Sequence, residues 1–119
     1  MTEPAPDPEA ATDPGATTAR PDLDVDRLVH EPARLGILTV LSSVRSAEFL
    51  FLQSALGLSK GNLSSHLSRL EAGGLVDITK RFVGKKPVTT AALTPVGAEA
   101  VARYWQQLDQ LRGLGRREA

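Results

Sequence analysis

The apolar positions of this chain fall into runs of two different periods, separated by clusters of Gly, Pro, Ser and Thr. Leu23, Val25, Leu28 and Val29 form a short stripe that Asp24 or Asp26 can cap. Leu35, Ile37, Leu38, Leu41 and Val44 recur at helical spacing and predict a core helix over about 32–43. Pro32 either interrupts the first stripe or opens this helix as a first-turn proline. Phe49, Leu50, Leu52 and Leu56 suit a short helix ending at Gly57, a residue that tolerates the left-handed C-terminal position. Ser46–Glu48, just before it, reads as a short strand or as the start of that helix. Ser59 is a good N-cap for a further helix, Ser59–Ala72, in which Leu63, Leu67 and Leu70 stand at i, i+4 and i+7. Gly73–Gly74 marks its end.

After Gly74 the period shortens. Val76, Ile78 and Phe82 approach strict alternation, the pattern of a half-buried strand. Gly84-Lys85-Lys86-Pro87 reads as a basic turn, and the β-branched Val88–Leu93 as the returning strand. Thr94-Pro95 then gives a hydroxyl cap followed by a first-turn proline. The helix it starts carries Val101, Tyr104, Trp105, Leu108 and Leu111 at three- and four-residue spacing through about residue 112. Two short helices joined by a glycine-containing turn, then a hairpin, then a long helix, make a winged helix-turn-helix. The expected class is mainly α with a small β-hairpin wing.

Composition changes this picture in one respect. The 119 residues hold 14 basic and 14 acidic side chains, a net charge of zero, which by itself argues against a nucleic-acid partner. The charge is unevenly spread. Residues 1–26 carry seven acids against one base, and residues 27–119 carry thirteen bases against seven acids. The zero is therefore the sum of a −6 segment and a +6 segment. Residues 1–22, with five prolines and few apolar side chains, read as a disordered acidic tail. Such a tail solubilises, or competes within the molecule for a basic surface. The domain is expected over 23–112, with 113–119 frayed.

The absence of cysteine removes disulfides, thiolate metal sites and a cysteine nucleophile. No signal-peptide pattern and no apolar run near the ~20 residues of a membrane span is present, so a cytoplasmic protein without a membrane partner is expected. No Gly-rich phosphate loop, nucleophile elbow or paired acid/base motif occurs. The reading is thus not an enzyme, with no cofactor and no metal.

The candidate chemistry lies on the Ser59–Ala72 helix and the hairpin. With Leu63, Leu67 and Leu70 turned to the core, the opposite side presents Gly61, Ser64, Ser65, Ser68 and Arg69, with Ser59, Lys60 and Asn62 at the N-terminal end. Small residues let a helix approach the floor of a DNA groove. Asn pairs with adenine, Arg and Lys with guanine, and serine with phosphate. Lys80, Arg81, Lys85 and Lys86 supply the wing, so residues 60–90 carry six bases against two acids. His66 lies beside the core seam, suited either to a hydrogen bond near the DNA backbone or to helix packing. The long last helix is rich in apolar and aromatic positions. Leu28, Val101, Tyr104, Trp105, Leu108 and Leu111 are the candidate contacts of a symmetric homodimer, the other reading being that this helix folds back on its own core. Double-stranded DNA and a second copy are the expected partners, and a small-molecule effector is left open. A winged helix that binds protein and never reads DNA is the alternative.

Leu28–Leu38, Leu58–Glu71 with Gly74-Leu75-Val76 after it, and Leu93-Thr94-Pro95-Val96-Gly97 resemble the small bacterial MarR/ArsR-like winged-helix regulators over about residues 26–110. The resemblance implies a homodimeric DNA-binding transcriptional regulator with recognition helix Ser59–Ala72 and wing Arg81–Val88. Metal-sensing relatives use cysteine or histidine clusters, which this chain lacks, and larger drug-sensing relatives have extra helices around a ligand pocket. The strand after the wing also lacks the Arg or Tyr of similar proteins, which leaves wing contacts to Lys85 and Lys86.

Overall fold

A computed structural model describes residues 26–116. The stretch 1–22, the apolar positions Leu23 and Val25, and residues 117–119 lie outside the described residues. The described chain comprises a body, Asp26–Trp105, and the last part of its final helix, from Gln106 onward.

The body opens on a single turn. Asp26 Oδ1 accepts from the backbone N–H of Leu28 (2.9 Å) and Val29 (3.4 Å), while the His30 N–H reaches the Asp26 carbonyl (2.7 Å). Pro32 then opens helix α1, Pro32–Ser42, where a missing N–H costs nothing. Glu31 caps it, its Oε1 accepting from the Arg34 N–H at 2.7 Å. Ile37, Leu38 and Leu41 are its buried positions. Val44, expected to continue the stripe, lies beyond the helix end and is exposed.

Both readings of Ser46–Glu48 hold together. Ala47–Glu48 is a two-residue strand, β1, and Glu48 is also the N-cap residue of α2, Phe49–Leu56. Only Leu52 of α2 is fully buried, and Leu50, another of the apolar positions that mark this helix in the sequence, is 63% exposed. Gly57, at φ 66°, ends α2. Helix α3, Lys60–Ala72, follows with Leu63, Leu67 and Leu70 buried, and Ser59 Oγ accepts from the Asn62 N–H at 3.1 Å. Its far end is a Schellman closure: Gly74 N–H bonds the Glu71 carbonyl, Leu75 N–H the Leu70 carbonyl, both at 2.9 Å.

Strands β2, Val76–Val83, and β3, Lys86–Leu93, pair antiparallel from Val76–Leu93 to Val83–Lys86. The turn is therefore two residues, Gly84-Lys85, shorter than the four read from sequence. Gly84 supplies the positive φ (68°) at its first position. β1 adds to β3 through Ala47–Ala91 and Glu48–Thr90, giving the sheet order β1-β3-β2. Val76 and Ala91 enter the core, but the hairpin outruns the body. Phe82, on the same face as Val76 by alternation, is 71% exposed instead of half-buried.

Helix α4, Pro95–Arg116, starts directly after the expected cap, Thr94. Thr94 Oγ1 accepts from the Gly97 N–H (2.9 Å) and donates to the Gly74 carbonyl (2.6 Å), and the Thr94 N–H donates to the Leu75 carbonyl (3.0 Å). Ala100, Val101 and Tyr104 close the body's core. From Gln106 the helix runs on past the expected end near 112, through Gly113 to Arg116.

Candidate nucleic-acid interface

The outer face of α3 is a consequence of its inner one. Three leucines at helical spacing fix the rotation of the helix, and the fold leaves Ser59, Lys60, Gly61, Asn62, Ser64, Ser65, Ser68 and Arg69 exposed. No acid stands among them; Glu71 is the first. Gly61 has open space where a Cβ would be, so the helix surface is lowest near its N-terminal end. That end is also the positive pole of the helix, which favours a phosphate.

His66 is the one residue of the recognition set turned away from this face. It is half-buried against the start of α1, where Arg34 Nη1 donates to His66 Nδ1 at 3.3 Å. The same guanidinium donates from Nε to the Leu28 carbonyl at 2.7 Å, tying the N-terminal turn, α1 and α3 together. Of the two roles read for His66, the geometry corresponds to helix packing.

Lys80, Arg81, Lys85 and Lys86 are all exposed on the hairpin. Among the described residues none of these four, nor Lys60 or Arg69, is paired with a carboxylate. Uncompensated cations at this density repel one another, so the surface is arranged for a polyanion. The fold also brings the two basic elements together. An open groove of about 460 Å³ runs between α2 and the wing, lined by Glu48 and by Phe49, Leu50 and Gln53 of α2, by Val83 and Lys86 of the wing, and by Lys60 of α3, so it holds two cations against one acid. The α2 residues were missed in the sequence because Phe49 and Leu50 were read only as apolar positions that mark a short helix. Exposed Phe82 was missed because alternation put it on the half-buried face of its strand.

The expected seam between copies divides. Val101 is buried and Tyr104 is 3% exposed, its hydroxyl 2.9 Å from His30 Nδ1, so both belong to the protomer's own core. That correction follows from the alternative reading of the last helix. Leu28 is half-buried. Trp105 remains 46% exposed, and further along α4 Leu108 is half-buried while Leu111 and Leu114 are exposed.

No group of three or more potential metal ligands occurs among the described residues. No helix among them is long and apolar enough to cross a membrane.

A helix-turn-helix whose second helix presents an acid-free polar face, beside a cationic hairpin, defines a winged-helix DNA-binding domain. The chain belongs to that family: the model of the winged helix DNA-binding domain matches residues 33–112. An uncharacterized protein of Methanocaldococcus jannaschii is 31% identical over 85 residues, which cover 71% of this chain and 92% of that protein. The transcriptional regulator homologue of Pyrococcus horikoshii OT3 superposes with a TM-score of 0.71 at 33% identity, covering 81% of this chain and 95% of that one. A MarR-family regulator of Enterococcus faecalis, at 19% identity, shares the fold, with a TM-score of 0.65 over 91% of this chain and 94% of its own. The chain is thus of the DNA-binding transcriptional regulator class.

Proposed function

We propose that this protein is a homodimeric, sequence-specific regulator of transcription that works in the cytoplasm. In this reading α3 enters the major groove of double-stranded DNA and the β2–β3 wing lies on the backbone or in the adjacent minor groove. One observation carries it: the exposed, acid-free face of α3 stands beside four unpaired wing cations, with Lys60 and Lys86 lining one groove. Lys60, Asn62, Ser65 and Arg69 are the base-reading candidates, while Ser59, Ser64 and Ser68 suit phosphate contacts. The P. horikoshii regulator homologue supports the class, and Trp105, Leu108 and Leu111 supply the pairing surface of a dimer that would set two α3 helices about one DNA turn apart.

Selection of bound fragments from genomic DNA, followed by titration at several salt concentrations, tests the reading. A selected duplex should bind with a steep salt dependence. Replacing Lys85 and Lys86 by alanine should weaken binding to all sequences alike and reduce the log–log salt slope by roughly 0.9 for each phosphate no longer neutralised. Asn62→Ala should instead change which sequence is preferred. Recovery of no duplex, together with capture of a protein partner that survives nuclease treatment, would replace DNA reading by the interaction-module alternative.

A further inference from the structure

The hairpin carries an apolar tip that the fold itself does not use. Phe82 is 71% and Val83 is 58% exposed, although alternation places Phe82 on the face that nearer the body holds buried Val76. An aromatic ring left in water this way forgoes the stabilisation of burial, about 25 cal/mol per Å² of apolar surface. Its surroundings are chemically one-sided. Lys80, Arg81, Lys85 and Lys86 bracket it within seven residues, and no acid occurs anywhere from residue 78 to residue 98.

The tip also keeps regular pairing right up to its turn. A two-residue turn makes Val83–Lys86 the hydrogen-bonded closing pair, so the next pair, Phe82–Pro87, is a non-hydrogen-bonded one. Pro87 therefore removes no bond from the β2–β3 ladder. β1 pairs only with Thr90 and Ala91, so Pro87 removes none on the other side of β3 either. In a non-hydrogen-bonded pair the residues stand closest, about 4.5 Å between Cα atoms, which sets Pro87 directly opposite Phe82.

We infer that Phe82 is an apolar wedge that the wing inserts between base pairs of the minor groove, bending the bound duplex. This deepens, and rests on, the DNA-binding reading above. A charged surface alone would suit any polyanion. What a stacked duplex adds is an apolar interior reached between two rows of phosphates, matching an apolar ring carried on a hairpin whose neighbouring positions in the chain, Lys80, Arg81, Lys85 and Lys86, are cationic. Wedges of this kind unstack one base step and bend the helix away from the inserted side chain. The step that yields most readily is pyrimidine–purine, so the wing contributes sequence preference at a position where it makes no hydrogen bond to a base.

The test uses the full-length chain and a duplex recovered by selection from random-sequence DNA, labelled at both ends for energy transfer. Wild-type protein should shorten the end-to-end distance, and Phe82→Leu should retain most of that shortening. Phe82→Ala should abolish it and weaken binding about tenfold or more, the range for removal of an aromatic ring stacked on a base. Because no charge changes, the salt slope should stay the same, unlike that of the lysine variants. Phe82 is exposed, so an unchanged thermal midpoint is expected and checks that the fold is kept. A Phe82→Ala protein that binds and bends the duplex as wild type does would overturn the wedge and leave the DNA reading standing. So would loss of binding to phosphatidylserine vesicles with DNA binding untouched, which would assign the tip to a membrane surface. Failure of the wild-type protein to select any duplex would overturn both.

Discussion

Gly97 lies where the first turn of α4 crosses the backbone after α3. A Cβ built there would run into the Leu75 carbonyl oxygen and its carbon, atoms of main chain that cannot turn aside. Thr94 holds the two segments at this separation through its bonds to Gly74 and Leu75. Gly97→Ala should therefore destabilise the domain by about 1–3 kcal/mol or more, since the strain falls on backbone. Urea denaturation checks it, and Gly61→Ala, in a helix with open space around it, serves as the control that should stabilise slightly rather than destabilise. Glu31 offers a second residue-scale expectation. The backbone N–H of Arg34 holds its carboxyl below the usual carboxylate range. A depressed folded-state pKa means that the stabilisation is present above that range and is lost as pH falls through the folded value. Glu31→Gln should accordingly be less stable than wild type near about pH 7, with the gap narrowing at an acid pH below the usual glutamate range. Melting curves at the two pH values measure it. Neither role showed in the sequence plainly: Pro32 pointed to a helix start, but a glutamate at the cap is unusual beside Ser, Thr, Asp or Asn.

At the scale of elements, caps and breakers were the most legible signals, because they act over three or four residues and need no tertiary partner. Ser59, Gly57, Gly74 and Thr94 all sit at the boundaries expected of them. Ser59→Ala should cost about 1 kcal/mol, a fall in melting temperature of roughly 4–8 °C for a domain this size. The same change should weaken DNA binding beyond its effect on folding, since it frees the N-terminal turn of α3. Comparison of binding well below the melting point separates the two. Element lengths were less legible. The hairpin turn is two residues rather than four because Lys86 and Pro87 pair across to Val83 and Phe82. Helix α4 runs through Gly113 to Arg116, although glycine costs about 1 kcal/mol in a helix interior.

For the whole molecule, the partition of apolar residues between one protomer's core and a second copy decides the assembly. Tyr104 and Val101 are already inside. Trp105, exposed on the same helix, is then the strongest anchor left for a dimer, with Leu111 beyond it. Trp105→Ala should weaken self-association by about 30-fold or more, as expected of a buried aromatic hot spot, a loss larger than the modest drop in monomer stability expected from its edge contact with Tyr104. Sedimentation over a concentration series measures this. If wild-type protein sediments as a monomer throughout, the homodimer is wrong. The sequence by itself determined the order of elements, their caps, the leucine seam of α3 and the separation of a −6 segment from a +6 one. These depend on periodicity and local chemistry, which a linear chain displays. Only tertiary structure decided that Tyr104 and His66 turn inward, that Leu50 and Phe82 turn out, and that Lys60 and Lys86 share one groove. Apolar spacing reports which face of an element is apolar. Whether anything covers that face depends on what the rest of the chain brings to it, and the wing extends past the body that would have done so.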